Sequence, residues 1–243
     1  MKRLLFASLA TPAVSLAGPI DDALALLDAH AAHPPPALSA SDRANLGRGE
    51  SVALTLGTDA VAGLRVVNTP MTQVWAAVHN PAVTGDPSVR ELRLAAESNG
   101  TELWYGRMKL PSPLSDRQWV VRSTIHTALH SLTEGRAWER DWVEVDDGLH
   151  LARPALSASH LEGLGAESLE SAVTTPTNRG AWIVADLGGG KTLVVTHAQT
   201  DLGGSVPTWL VRDVARRQVK GLLDRVARDA RWTHPDVVSG SGR

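Results

Sequence analysis

Three places in the chain carry residue types at spacings that chemistry uses. Gly188-Gly189-Gly190-Lys191-Thr192 ends like a phosphate loop, His126 and His130 stand four apart, and Asp146-Asp147 pairs two carboxylates. A phosphate loop needs a first glycine where Ala185 stands, and a helix N-terminus after the lysine. Instead Thr192 to Thr200 is rich in Val and Thr and predicts a strand, so the glycines read as a hairpin turn. Two histidines four apart suit a metal only on a helix, whereas Trp119 to Leu129 alternates like a strand. There the pair would sit about 13 Å apart along the chain, too far to chelate one ion. Asp146-Asp147 falls in a turn and reads as solvated. There is no Gly-x-Ser-x-Gly elbow and no Ser/His/Asp set of recognisable spacing. No catalytic residue, metal or cofactor is thereby assigned.

Composition narrows the classes further. The 243 residues are 43% hydrophobic, enough for one large domain or two small ones. A net charge of −2 with a pI near 6.5 argues against general nucleic-acid binding, which needs a surplus of cations. Cysteine is absent, so there is no disulfide framework, thiolate metal site or cysteine-borne lipid anchor. Eight Trp stand against one Tyr and one Phe. Arg well above Lys and abundant Ala resemble a GC-rich coding sequence, which accounts for part of that excess.

The elements that would have to position any site are clearest at the C-terminal end. After the strand over 192–200, Gly203 and Gly204 break the chain, Ser205 can cap a helix, and Pro207 suits its first turn. The helix carries Val211, Ala215, Val219, Leu222, Val226 and Ala230 as one apolar stripe with Arg, Lys and Asp on the other faces. Such a stripe needs a sheet to lie on. The segment Gln199 to Leu210 resembles the strand-to-helix segment of START (steroidogenic acute regulatory protein-related lipid transfer) domains, close to D-P-G-G-x-[IVL]-P-x-W. Leu202 stands where proline is usual, which loosens the turn.

A second segment supports the resemblance. Glu102 to Ser123 places strands on both sides of Pro111-Ser112-Pro113, which cannot sit in a central ladder. It is similar to the START pattern P-x-P-[LM]-x-[ND]-R-[DE]-[FYW]-V, with Gln118 replacing the usual acid and so losing any salt bridge made there. Further upstream, Glu50 to Leu56 and Ala60 to Asn68 read as two strands, followed by a helix opening at Thr69-Pro70 and closed by Asn80-Pro81. This order resembles the opening of the helix-grip superfamily to which START domains belong. Further strands are expected over 136–145 and 181–187. The resemblance spans Gly49 to Arg231 and implies an α+β helix-grip fold, a bent antiparallel sheet wrapped around a long C-terminal helix.

Outside that span, Met1 to Ala17 reads as a secretory signal peptide. Lys2 and Arg3 supply its positive end, Leu4 to Ala10 its apolar run, and Ser15-Leu16-Ala17 its cleavage pattern. Export to a periplasm or the cell exterior, with the mature chain starting at Gly18, is the expectation. An Ala/Leu helix is expected over 19–33, then the stiff Pro34-Pro35-Pro36 connector and a short capped turn at Ser41-Asp42-Arg43. The division expected is 18–48 for this N-terminal segment, 49–232 for the START-like domain and 233–243 for a disordered tail. Leu149 to Asn178 reads as irregular, a covering loop or short helix over an opening.

The pleat predicts what a pocket would present. If Trp119 faces in, so do Val121, Ser123, Ile125, Thr127 and Leu129, leaving Arg122 and His126 outside. With the resemblance, the candidate walls for a hydrophobic ligand are Trp104, Tyr105, Trp119, Val121, Ile125, Trp138, Trp142 and His197, with Trp209 at the helix end. A filled core would show the same parity, and each Trp taken singly fits plain core. The resemblance implies non-enzymatic binding or transfer of a lipid or other hydrophobic small molecule, with transient membrane-surface contact. An alternative is an enzyme of the same superfamily, cyclase- or hydrolase-like, for which Tyr105 and His197 are the inward-capable acid–base groups. A third reading is an interaction module docking a protein partner on the C-terminal helix.

Overall fold

The computed structural model describes residues 18–57, 59–85, 88–159, 164–165, 167 and 168–203, and 208–233, with 81–82, 168 and 208–214 described by their backbone. The expected leader therefore lies outside the described residues, as do Gly204, Ser205, Pro207 and the tail beyond Thr233.

The chain opens with α1 (Pro19–His30). Proline stands in its first turn, Asp21 and Asp22 complement the positive helix end, and Ala23 and Leu27 form the buried face. Where a short turn was expected at 41–43, there is a full helix, α2 (Ala40–Gly47), held by a capping box between Ser39 and Asp42. The box uses Asp where Glu or Gln is usual, which is why the sequence signature is faint. Strands β1 (Val52–Leu56) and β2 (Ala60–Val67) form a hairpin. Then come α3 (Met71–Val78), α4 (Pro81–Thr84) and β3 (Val89–Ala96).

Strand β3 was not anticipated. It is an edge strand paired to one neighbour, β4 (Glu102–Met108), and its charges Arg90, Glu91 and Arg93 interrupt the apolar positions Val89, Leu92 and Leu94. Edge strands are commonly charged in this way, which blurs their hydrophobic signal. Strand β5 (Arg117–Ile125) follows the proline-rich connection, and here the parity reading overreached. The strand stops at Ile125 and α5 (Thr127–Leu132) begins, so His130 lies in a helix and Leu129 joins the core on the other side of the sheet. Next are β6 (Ala137–Glu144), α6 (Leu149–Ala158), α7 (Ser168–Ser171) and the two-residue β7 (Val173–Thr174). The expected irregular stretch thus contains two helices, and α6 tolerates Pro154 inside it.

The long hairpin of β8 (Thr177–Gly188) and β9 (Lys191–Asp201) turns on Gly188, Gly189 and Gly190, all with φ between 60° and 76°. That left-handed run is a glycine turn, as the sequence predicts. The chain ends in α8 (Thr208–Asp229) and a 3₁₀ turn.

Among the described residues the strands form one sheet in the order β1-β2-β9-β8-β6-β5-β4-β3, antiparallel throughout, with β7 added in parallel to β5. One face carries Val61, Val67, Val184 and Val194 against α3 and α8. The opposite face carries Leu64, Ile183, Leu193 and Val195 against α1 and α2, and Tyr105 and Val120 against α6. Helix α8 lies on β1 and β2 at one end of the strand order, while its Leu222 shares a cavity with Val89 of β3 at the other end. Both ends can meet one helix only because the sheet curls around it. This is the α+β helix-grip architecture.

The expected stripe on α8 is rotated slightly. Val219, Leu223, Val226 and Ala230 are buried against the sheet, whereas Leu222 faces the cavity. Gly63 on β2 makes the close approach possible, since a Cβ there would stand 2.2 Å from Val219. Beside it, Arg65 pairs with Asp224 of the helix and also donates to Ser51 Oγ at 2.9 Å. No helix among the described residues is long and apolar enough to cross a membrane.

Candidate functional site

Between α8, the end of α3 and the concave side of β3–β6, β8 and β9 lies a cavity of about 340 Å³. Its walls are largely aromatic and aliphatic: Trp104, Trp119, Val121, Trp142 and Trp182, with Met108 and Leu222. Two indoles owe their position to glycines on the neighbouring strand. A Cβ on Gly106 would stand 2.3 Å from the Trp119 ring, and one on Gly180 would meet the Trp142 ring at the same distance. Each tryptophan therefore lies across bare backbone, which keeps its bulk low and leaves space above it.

Behind His79 lies an aromatic stack. Trp138 lies parallel to Trp75 at 5.4 Å and to His130 at 3.7 Å, and Trp75 meets His79 edge-on at 4.1 Å. Trp75 and Val78 come from α3, whose apolar residues are buried almost without exception.

Polar groups interrupt the greasy lining, four of which are placed by hydrogen bonds or burial. Arg140 projects from β6 between Trp138 and Trp142, its Nε donating to Ser123 Oγ at 2.6 Å while its guanidinium pairs with Glu102. Ser123 Oγ donates in turn to Asp141 O at 2.8 Å. Burial would raise the Glu102 carboxyl, but Arg140, with Trp104 Nε1–H and Arg93, holds it below the usual carboxylate range. Trp142 Nε1–H donates to Asn178 Oδ1 at 3.0 Å. The fourth group is His79, whose pKa is lowered to about 4, first by burial and then by the charge of Arg140. Its Nδ1 lies 2.7 Å from the Trp75 carbonyl, and its Nε2 is buried with no hydrogen-bond partner. The cavity thus holds a neutral imidazole and the Arg140 end of an internally neutralised ion pair, and Glu91 of β3 lines it as well, its carboxyl pushed up by burial.

Of the expected wall residues, Trp104, Trp119, Val121 and Trp142 line this cavity. Ile125 and Trp138 face the same side but are packed into the core with Val74, Trp75 and Leu223. Tyr105 belongs to the opposite face. It is wholly buried with Ala152 and Leu156 of α6, and its hydroxyl donates to Gln118 Oε1 at 3.1 Å. Successive strand residues point to opposite sides, so Trp104 and Tyr105 could not both face in. His197 also lies on the far side, in a second cavity of about 470 Å³ beneath Ala32, His33 and Pro34, with its pKa lowered by burial and by His33 and its Nε2 buried without a hydrogen-bond partner. Trp209 is in the part of α8 whose side chains are not described.

The two acid–base candidates of the enzymatic alternative are therefore both off the cavity. Burial pushes the Tyr105 phenol up, further from a useful pKa. His126 and His130, though joined by a helical start, go separate ways: His126 Nε2 sits 3.0 Å from Asp141, and His130 stacks on Trp138. Among the described residues no group of three or more His, Asp or Glu is placed to hold a metal ion.

Sequence reasoning missed Arg140, Glu102, Trp182, Leu222 and His79. Arg140 and Trp182 were within reach of the same parity used for Trp119. His79 sits at a helix end, where no local pattern announces which way it points.

Gln118 fills the place of the expected acid with a different bonding role. Its Oε1 accepts from Tyr105, and its Nε2 donates to Leu169 O at 3.0 Å and Ala172 O at 3.1 Å. A carboxylate could not donate to those carbonyls. The neighbouring Arg117 reaches Leu202 O and, at 3.1 Å, Gly203 O, with Gly203 at φ 65°. The two sequence motifs thus meet in space, and Arg117 holds the turn that Leu202 was expected to loosen.

A curled antiparallel sheet gripping a C-terminal helix over an apolar cavity is the fold of START domains. No family model and no curated protein sequence matches the chain. Among solved structures it is similar to human STARD10, at 12% identity and TM-score 0.53, covering 80% of each chain. A STAR-related lipid transfer protein fragment from Xanthomonas axonopodis aligns at 19% identity and TM-score 0.54, over 74% of this chain and 92% of that one. Human StAR-related lipid transfer protein 5 aligns at 14% and 0.52, over 79% and 93%.

Proposed function

We propose that the protein binds a lipid or other hydrophobic small molecule in the concave cavity and carries it without chemical change. The observation that carries this reading is the cavity itself: about 340 Å³ of space beneath α8, walled by indoles that glycines hold flat. Apolar surface transferred there from water or membrane gains about 25 cal/mol per Å² buried. The volume falls within the roughly 300–1,000 Å³ usual for small-molecule sites. Lipid-transfer proteins among the structural neighbours support the same reading. The Arg140–Glu102 pair, Ser123 and Asn178 fix orientation in an otherwise greasy lining.

The site of action proposed is the cell envelope, after export and cleavage behind Ala17, with transient contact to a membrane surface for loading. Native mass spectrometry of protein purified from its own envelope fraction should show a bound apolar molecule and a chain beginning at Gly18. A ligand-free protein whose melting point no phospholipid, sterol-like molecule or fatty acid moves would refute the binding reading. A chain retaining Met1 would refute the export reading.

A further inference from the structure

We infer that His79 is a ligand-selecting acceptor, so that the cavity takes an uncharged apolar molecule bearing a hydroxyl group in preference to its ether or its carboxylate; this rests on the hydrophobic-ligand reading above. The argument begins with the tautomer. Nδ1 of His79 lies 2.7 Å from the Trp75 carbonyl, which can only accept, so Nδ1 carries the proton. The other nitrogen, Nε2, is then a bare lone pair. It is buried, has no partner, and belongs to a side chain that lines the cavity. The edge-on contact with Trp75 fixes the ring, so Nε2 cannot turn elsewhere without losing both contacts.

Burial and the positive charge of Arg140 keep the imidazole neutral, leaving Nε2 an acceptor across the physiological range. A buried acceptor left unpaired is costly, and a ligand group that reaches it as a donor recovers that cost. A hydroxyl does so. A methyl ether of the same skeleton does not. A carboxylate brings a second set of lone pairs against Nε2, and the cation that would attract it, Arg140, is already paired with Glu102. Shape and greasiness are common to all three, and Ser123 Oγ, Asn178 Oδ1 and the Arg140 guanidinium already have partners, so discrimination falls first on Nε2.

The test compares 1-decanol, decyl methyl ether and decanoate on delipidated protein, by tryptophan fluorescence and by the ¹⁵N signal of His79 Nε2. In the wild type decanol should bind roughly tenfold more tightly than the ether, the worth of one hydrogen bond. Decanol, and not the ether, should shift the Nε2 resonance. His79→Phe keeps a ring on Trp75 and should bring the alcohol-to-ether ratio to about one while still binding both. Equal affinities in the wild type, an unmoved Nε2 signal, or a preference that survives His79→Phe would overturn the inference. Tight decanoate with weak decanol would also overturn it, yet leave the hydrophobic-ligand reading standing. If none of the three binds, that reading falls and this one with it.

Discussion

The two faces of the sheet are made by the same strands and packed by opposite rules. On the convex face, Leu27 and Leu46 of the N-terminal helices fill the surface offered by Leu64, Leu193 and Val195, and all are buried completely. On the concave face, large indoles lie over glycines and leave about 340 Å³ between the sheet and α8. Their polar groups differ in the same sense. Glu139, buried on the convex side, accepts from Ala32 N at 2.8 Å, His33 N at 2.9 Å and His33 Nδ1 at 2.9 Å. His79, on the concave side, keeps one nitrogen unused, as does His197 in the cavity beneath His33 on the other side. A fully bonded polar group fixes structure, whereas an unfinished one waits for a partner from outside. Side-chain size is therefore a poor guide to where the sheet can bind; local completeness of packing and bonding is the better one, and it is met around Leu27 and Leu46 but not around His79 or His197.

The sharpest way to break the contrast is Glu139→Ala. It would strand two backbone N–H groups of the segment at Ala32 and His33, at about 1–3 kcal/mol each. Denaturant unfolding should show a loss of about 2–5 kcal/mol, with the cavity's ligand selectivity unchanged. A loss below about 1 kcal/mol would mean the Ala32–His33 segment is not held through this carboxylate.

Much of the fold could be read from the chain because strand parity and turn chemistry are local. The β8–β9 hairpin, the proline-rich connection before β5 and the α8 stripe all follow from spacing within a dozen residues or so. What escaped was set by distant partners. Leu129 leaves the expected face because the chain coils after Ile125 and inserts it among Ala137, Ile183 and Leu193. Nothing near His79 foretells that Arg140, far along the chain, will depress its pKa. Tyr105 is a different case. The pleat already forbade it from sharing a wall with Trp104, so that error was avoidable from sequence alone.

Two histidines, His79 on the concave face and His33 against the convex one, should give opposite responses to pH. His79 has a folded pKa of about 4 against 6.5 unfolded. The unfolded chain therefore binds more protons between those values, and stability falls as pH drops through that window. At pH 5 the loss should be about 2 kcal/mol relative to pH 7, and His79→Phe should remove most of it. His33 has its pKa raised, chiefly by its hydrogen bond to Glu139. Its contribution is fully present below 6.5 and is lost as pH rises through the folded value, so His33→Asn should flatten the alkaline side. His33 is 37% exposed on its side chain, and solvent screening makes this the weaker limb. Unfolding curves from pH 4.5 to 9 would check both. An acid limb that survives His79→Phe, or an alkaline limb that survives His33→Asn, would contradict these assignments.

The smallest expected change in stability gives the finest comparison, one substitution at two positions on β5. Val121 lines the cavity and Ile125 is packed into the core beside Trp138 and Gly100, although both point to the same side. A tryptophan at 121 can extend into open space, whereas one at 125 must displace neighbours that are already in contact. Val121→Trp should therefore change stability by less than about 1 kcal/mol, while Ile125→Trp should cost about 1–3 kcal/mol as an overpacked core. Ligand response should reverse that order. Binding adds RT ln(1 + [L]/Kd), about 2.7 kcal/mol at a hundredfold excess. Val121→Trp should abolish the resulting rise in melting temperature with decanol, and Ile125→Trp should retain it from a lower starting point. Equal destabilisation at both positions, with decanol shifting neither variant nor the wild type, would mean that the concave face is as full as the convex one. The contrast between the faces would then reduce to side-chain size.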